Sequence, residues 1–287
     1  MKLAITVLII ALTALSVLGQ SQQQPPAVRI VTEDPNLPSD LYYGNTKVKP
    51  LRIRPGTNRR ATIDDNDFYL QQHFVDFYFR MPDAATYNPL LTKLNNCAPG
   101  NTSCDRIAAS QSFFNSVDFA GRGMWVYKLF ITSFARKPRY TEFGPNVKLI
   151  TPFQTAQQFE ASKNTFANNW VLKPAFKAKY PASMTATAYV DALCAAAKVT
   201  VANRNTLISD LQAGRKTRAQ VLRAIAESTE VNNKYYNEAY VALGYFGYFK
   251  RDPDSNFTKW LATLNTTHNY RTVTNNFLIS PLYRNRF

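Results

Sequence analysis

Asn169–Tyr180 reads NWVLKPAFKAKY, and Asn276–Phe287 reads NFLISPLYRNRF. In register, Trp170 meets Phe277, Val171 meets Leu278, Leu172 meets Ile279 and Pro174 meets Pro281. Phe176 then falls on Tyr283, Lys177 on Arg284, Lys179 on Arg286 and Tyr180 on Phe287. A phrase that returns after about a hundred residues, aromatic for aromatic and cation for cation, marks a repeated unit. The phrase reads as the closing helix of each unit, with its aromatic rings in the core and Lys177, Lys179, Arg284 and Arg286 in water.

The repetition extends upstream. His73–Asn95 (HFVDFYFRMPDAATYNPLLTKLN) resembles Tyr240–Asn265 (YVALGYFGYFKRDPDSNFTKWLATLN), with Arg80 on Arg251, Pro82-Asp83 on Pro253-Asp254 and Leu94-Asn95 on Leu264-Asn265. FFNSVDF (Phe113–Phe119) aligns with FLISPLY through Ser116 and Ser280, and IAESTEV (Ile225–Val231) fits the same slot through Ser228. Counted from Phe74, Val126, Tyr189 and Val241, the offsets are 52, 63 and 52 residues. Four tandem helical units follow, each too small to bury its own apolar face. Leu70, Phe74, Phe77 and Met81 form one helical stripe, and Phe257, Trp260, Leu261 and Leu264 form another. Thr217 and Gln220 read as a capping box ahead of Val221, Leu222 and Ile225. No sheet is expected. The fold class is all-α, with tandem units packed into one or two helical domains.

Residues 1–19 carry Lys2, an apolar run and the small pair Val17 and Gly19, a signal peptide with cleavage after Gly19. Residues 20–62 read as a flexible basic linker: six prolines, and six cations from Lys47 to Arg60 without an acid. Residues 63–180 and 181–287 then hold one pair of units each, beginning near the helix-start residues Asp64, Asp65 and Asp67. The chain carries +15; losing Lys2 with the leader leaves +14. In an exported protein such a balance points to anionic cell-surface polymers or polysaccharide met through the basic arm, rather than to specific nucleic-acid recognition. Cys97 and Cys104 flank the turn-forming Ala-Pro-Gly-Asn-Thr-Ser and are expected to form a disulfide. Cys194 sits on an apolar helical face as a buried thiol.

Motifs for chemistry are sparse. There is no Gly-x-Ser-x-Gly, and the two histidines are His73 beside the buried stripe and His268 in a turn. Asp252, Asp254 and Asn256 alternate as in a calcium loop, but Phe257 and Thr263 stand where Gly and Glu belong, so they read as helix caps. Trp125, Trp170 and Trp260 fall on apolar stripes and are read as core. No catalytic residue, metal or cofactor is assigned. Arg80 and Arg251 precede Pro-Asp and are read as partners of helix-end carbonyls or a nearby acid.

These segments together resemble bacterial secreted proteins of the domain-of-unknown-function 4214 family over roughly residues 64–287. The likeness rests on Arg-x-Pro-Asp (Arg80–Asp83, Arg251–Asp254), a Leu-Asn helix end, and a Phe-x-x-Ser close (Ser116, Ser280), with Trp260 in the best-matching stretch. Met81, Tyr87, Pro281 and Leu282 depart from that pattern. The resemblance implies an all-helical, secreted or envelope-associated protein acting in interaction or scaffolding, without an established catalytic activity. The alternative is a polysaccharide-acting enzyme or carbohydrate-binding protein, with acids as catalysts and tryptophans as platforms.

Overall fold

The computed structural model describes residues 62–150 and 155–287, together with the backbone of three short strands nearer the N-terminus. The strands are β1 (Val28–Val31), β2 (Asp40–Tyr43) and β3 (Thr46–Lys47), paired antiparallel in the order β1-β2-β3, with Val28 opposite Tyr43 and Tyr42 opposite Lys47. They correct the expectation of no sheet and lie inside the segment read as a linker. The sequence cue is VRIV and DLYY, short β-branched and aromatic runs, with Gly44-Asn45 between β2 and β3. Of the six arm cations, Lys47 falls in β3, whereas the five from Lys49 onward, like the leader, lie outside the described residues.

The rest is helical. In chain order come α1 (Asn66–His73), α2 (Ala84–Asn95), α3 (Arg106–Phe114), α4 (Arg122–Phe134), α5 (Tyr140–Lys148), α6 (Ala156–Trp170) and α7 (Pro174–Lys179). They are followed by α8 (Ala186–Ala197), α9 (Arg204–Gln212), α10 (Arg218–Ala226), α11 (Thr229–Gly244), α12 (Asn256–Thr267), α13 (Tyr270–Ile279) and α14 (Pro281–Arg284). Wider π turns at Phe74–Tyr78, Val117–Gly121 and Tyr245–Phe249 extend α1, lead into α4 and extend α11.

Two helices are apolar nearly all round, and a helix of that kind must sit inside. Ten of the thirteen residues of α4 are buried, and every residue from Ala239 to Phe249 at the end of α11 is buried. α4 and α11 pack on each other, α8 and α10 add to α4, and α6 covers α10. Gly123 of α4 lies where a Cβ would come within 2.7 Å of Leu243, so the small residue permits this close crossing. At the far side, the α1 extension and α3 pack against the α11 extension, α13 and α14. Gly247 leaves room for the Phe77 ring, and Gly244 for that of Phe277.

Three helix junctions share one geometry. Phe79, Ala135 and Lys250 are left-handed, with φ of 56°, 58° and 57°. Each is followed by Arg-x-Pro: Arg80-Met81-Pro82, Arg136-Lys137-Pro138 and Arg251-Asp252-Pro253. The left-handed residue ends the helix, and the proline prevents it from resuming at once. The arginine then clips the turn: Arg80 reaches Asp83 at 3.0 Å, Arg136 reaches Glu142 at 2.7 Å, and Arg251 pairs with Asp254.

Candidate functional site

The sequence-derived positions serve largely as caps and clips. Asp83 accepts the Thr86 backbone N–H at 2.8 Å at the start of α2, and Asp254 accepts from Asn256 N–H at 2.9 Å and from the Tyr245 hydroxyl at 2.6 Å. The backbone and hydroxyl of Thr86 hold the Asp83 carboxyl well below its ordinary range, at about 2. Ser116, Ser228 and Ser280 cap the Val117–Gly121 turn, α11 and α14, accepting from Phe119, Val231 and Leu282 at 3.1, 3.2 and 3.2 Å. Thr217 and Gln220 bond each other reciprocally at 3.2 and 2.8 Å. Cys97 and Cys104 are joined, with Cα atoms 5.5 Å apart, and Cys194 is a free buried thiol. Trp170 and Trp125 are buried, and Trp260 is partly buried against Phe277 at 4.4 Å.

One expectation is overturned. Arg286 does not stay in water: its guanidinium reaches the buried Asp76 at 2.9 and 3.1 Å and also bonds the Tyr248 carbonyl. Lys250 approaches the same carboxylate at 3.2 Å, and Gln72 donates to it at 2.9 Å. Burial pushes the Asp76 carboxyl up, and the Arg286 and Lys250 charges overcome that push and hold it at about 2. Lys177, Lys179 and Arg284 are exposed as expected, Arg284 pairing with Asp64 at 2.7 Å. Sequence reasoning missed this cluster; its signal was an acid, Asp76, set between Val75 and Phe77 on an aromatic helix.

Beside it lies a second polar chain. His73 Nδ1 is 2.8 Å from the Tyr69 carbonyl, which can only accept, so the proton sits on Nδ1. Nε2 therefore accepts from the Ser110 hydroxyl at 2.8 Å, and Ser110 Oγ accepts from the Tyr248 hydroxyl at 2.6 Å. A serine bonded to an imidazole has the connectivity of an activated nucleophile. Here His73, Ser110 and Tyr248 are all fully buried among Phe77, Phe113 and Phe114, and every polar atom is engaged. Burial lowers the His73 pKa to about 4, which keeps the ring neutral. The chain is a structural bridge between α1, α3 and the α11 extension.

A cleft of about 550 Å³ opens between α4 and α11, with Asn115 from the end of α3 and Tyr270 from α13 at its sides. Trp125, Tyr240 and Tyr270 give it aromatic walls, and Tyr236 stands 39% exposed at the mouth. Glu227, at the end of α10, accepts from Trp125 Nε1 at 2.6 Å, Lys163 at 2.9 Å and Arg223 at 2.8 Å. Glu160 shares Lys163 and Arg223 with it at 2.5 and 2.7 Å, so the two carboxylates are bridged by two cations. Lys128, in mid-α4, donates to Asn232 at 3.2 Å, and burial lowers its pKa. The tryptophan here is held by its edge in the wall and is not an open platform. The sequence could not assemble this cleft, because its residues come from six helices or their ends and Trp125 reads as plain core.

Among the described residues no group of His, Cys, Asp and Glu is arranged to hold a metal ion, and no helix is long and apolar enough to cross a membrane. Compared with family models, curated proteins and solved structures, the chain matches none.

Proposed function

We propose that the chain is an exported helical interaction module that attaches to anionic polymers of a cell surface and acts without catalysis. The observation that carries this reading is the segregation of charge. Residues 62–118 hold three cations and seven acids, whereas residues 119–190 hold ten cations and two acids. Charge sorted in this way along the chain gives residues 119–190 a positive balance that can draw long anionic polymers. Lys148, Lys177 and Lys179 are exposed within that stretch, and the sequence of the arm carries six further cations from Lys47 to Arg60. The serine–histidine pairing, the most reactive connectivity present, is spent inside the core. The recurring junction at Phe79, Ala135 and Lys250 supports an origin in tandem helical units, and with the Arg-x-Pro-Asp phrases it supports kinship with the domain-of-unknown-function 4214 proteins. Export after Gly19 and a bacterial envelope location belong to the same proposal.

The test is retention of residues 20–287 on lipopolysaccharide and cell-wall preparations. The parallel variant has Lys47, Lys49, Arg52, Arg54, Arg59 and Arg60 changed to Gln. Retention is expected to fall steeply between ~50 and ~200 mM salt, because exposed charges are screened over that range. The Gln variant is expected to bind less at low salt. Retention of both forms, indifferent to salt, rejects the electrostatic mechanism. A second reading, binding of a carbohydrate, is favoured by the aromatic cleft.

A further inference from the structure

We propose that the cleft between α4 and α11 binds an acidic saccharide unit, a pyranose ring bearing a carboxylate. This rests on the carbohydrate reading and is independent of the basic arm. The volume, about 550 Å³, lies within the usual range for small-molecule sites, and the lining has their usual make-up of aromatic walls with a few polar groups.

The polar ends of the wall residues are already occupied. The Tyr240 hydroxyl meets that of Thr274 at 3.0 Å, the Tyr270 hydroxyl donates to Asn237 at 2.7 Å, and the Trp125 N–H is held by Glu227. Trp125 and Tyr240 are 3% and 1% exposed and back the wall, so the ring surface open to the cleft comes from the half-buried Tyr270. Tyr236 completes it from the mouth, its ring edge-on to Tyr270 at 5.9 Å. A large aromatic ring left wet at the rim of a concave aromatic surface matches the weakly polar C–H face of a sugar ring.

The remaining polar groups select the charge. Lys163 and Arg223 are neutralised by Glu160 and Glu227, leaving those two carboxylates saturated. Lys128 is different: it forms its bond to the Asn232 amide, and among the described residues no carboxylate pairs with it directly, the charge of Glu227 reaching it from a distance and that of Lys163 opposing it. An ammonium group has three donors, and a half-buried one without a directly bonded carboxylate favours an incoming anion. Asn115, exposed at the rim, presents an amide that can both donate to and accept from ring hydroxyls. A carboxylate on Lys128 with the ring over Tyr236 satisfies both halves of the site.

The test uses the chain from residue 20 to 287, titrated with a digalacturonate and with the matching neutral galactose disaccharide. Calorimetry and tryptophan fluorescence report binding at ~0.3 M salt, where arm contacts are largely screened. Saturable binding of the acidic sugar, at least tenfold tighter than the neutral one, is the expected result. Tyr236→Ala is expected to weaken it at least tenfold, and Lys128→Met to erase the preference for the acid. Tyr236→Phe retains the ring and is expected to bind as the parent does, which separates stacking from misfolding; unchanged melting of each variant is the companion check. The six-fold Gln variant of the arm should bind the disaccharide normally. No saturable binding of the acidic sugar up to ~10 mM, equal affinity for the two sugars, or indifference to both Tyr236→Ala and Lys128→Met overturns the proposal. Salt-sensitive attachment to polymers that survives such a result leaves the arm mechanism standing.

Discussion

Asp76 is 1% exposed, and an anion so placed is tolerable only with cations against it. Arg286 supplies two hydrogen bonds and Lys250 a third contact, so removing Arg286 leaves a buried charge with half its compensation. Arg286→Met is expected to destabilise the fold by about 3–5 kcal/mol in denaturant titrations, and the double variant Arg286→Met/Asp76→Leu to recover part of that loss. A loss below about 1 kcal/mol for the single change would mean that the pair is not formed in solution. His73 gives a second outcome. Its folded pKa is about 4 against an ordinary 6.5, so an unfolded chain takes up a proton as pH drops below 6.5 while the folded chain resists until 4. Stability is therefore full above 6.5 and falls with acid through that window, by up to about 3 kcal/mol. Asp76, ordinarily at 3.8 and held at about 2, extends the loss below pH 4 in the same direction. Denaturant midpoints followed from pH 7.5 to 4.5 should fall in the parent and stay nearly level in His73→Gln; an equal slope in both would assign the acid sensitivity elsewhere. The Asp76 cluster was legible only in part. The acid stands out among aromatic residues, but its cationic partners are 174 and 210 residues away, and no local pattern names a partner across such a distance.

At the scale of elements, helix starts were legible and helix ends less so. A cap is a short-range bargain between a side chain and the next few N–H groups, which is why Thr217 and Asp254 could be read directly. Gly214 closes α9 in the usual way, but five other left-handed ends are occupied by Phe79, Ala135, Lys198, Lys250 and His268, so there the usual sign was missing. The strands in the N-terminal segment were missed because prolines and cations dominate the composition around two four-residue runs. The ends without glycine make a clear case. Ala135 is exposed with φ of 58°, a conformation that costs an L-residue about 1 kcal/mol or more, partly offset by the greater chain entropy of glycine. Ala135→Gly is expected to raise stability by about 0.5 kcal/mol and the melting temperature by ~1–2 °C. Phe79→Gly at the sister junction should instead destabilise, because the Phe79 ring packs on Phe119 at 6.4 Å and lies under the ammonium groups of Lys148 and Lys250. A lowered melting temperature for Ala135→Gly would show that the side chain at this end does more than occupy a strained turn.

For the whole molecule, the helical class and the aromatic core follow from periodicity, but the sequence boundary at 180/181 does not correspond to a gap in packing. Tyr180 packs on Tyr189 at 5.6 Å, and Arg218 donates to the carbonyls of Tyr180 and Pro181 at 3.2 and 2.8 Å. The first helices are covered by the last ones: Asp105 pairs with Arg271, Asp76 with Arg286 and Asp64 with Arg284. α4 from the first half is buried against α8, α10 and α11 from the second, so neither half can shed the other without exposing a helix that is apolar nearly all round. Tandem units suggest domains that could part, whereas the interleaving of their helices forbids it. The consequence is cooperative unfolding as one body. Trp125 and Trp170 report on the first half and Trp260 on the second, so tryptophan fluorescence samples both, while far-ultraviolet circular dichroism follows helix throughout. In urea the two signals are expected to trace one coincident transition, and residues 63–180 or 181–287 expressed alone are expected to show little cooperative melting. Two separated transitions, or either half melting sharply by itself, would mean that the contacts across residue 180 add little and that the units fold as independent pairs.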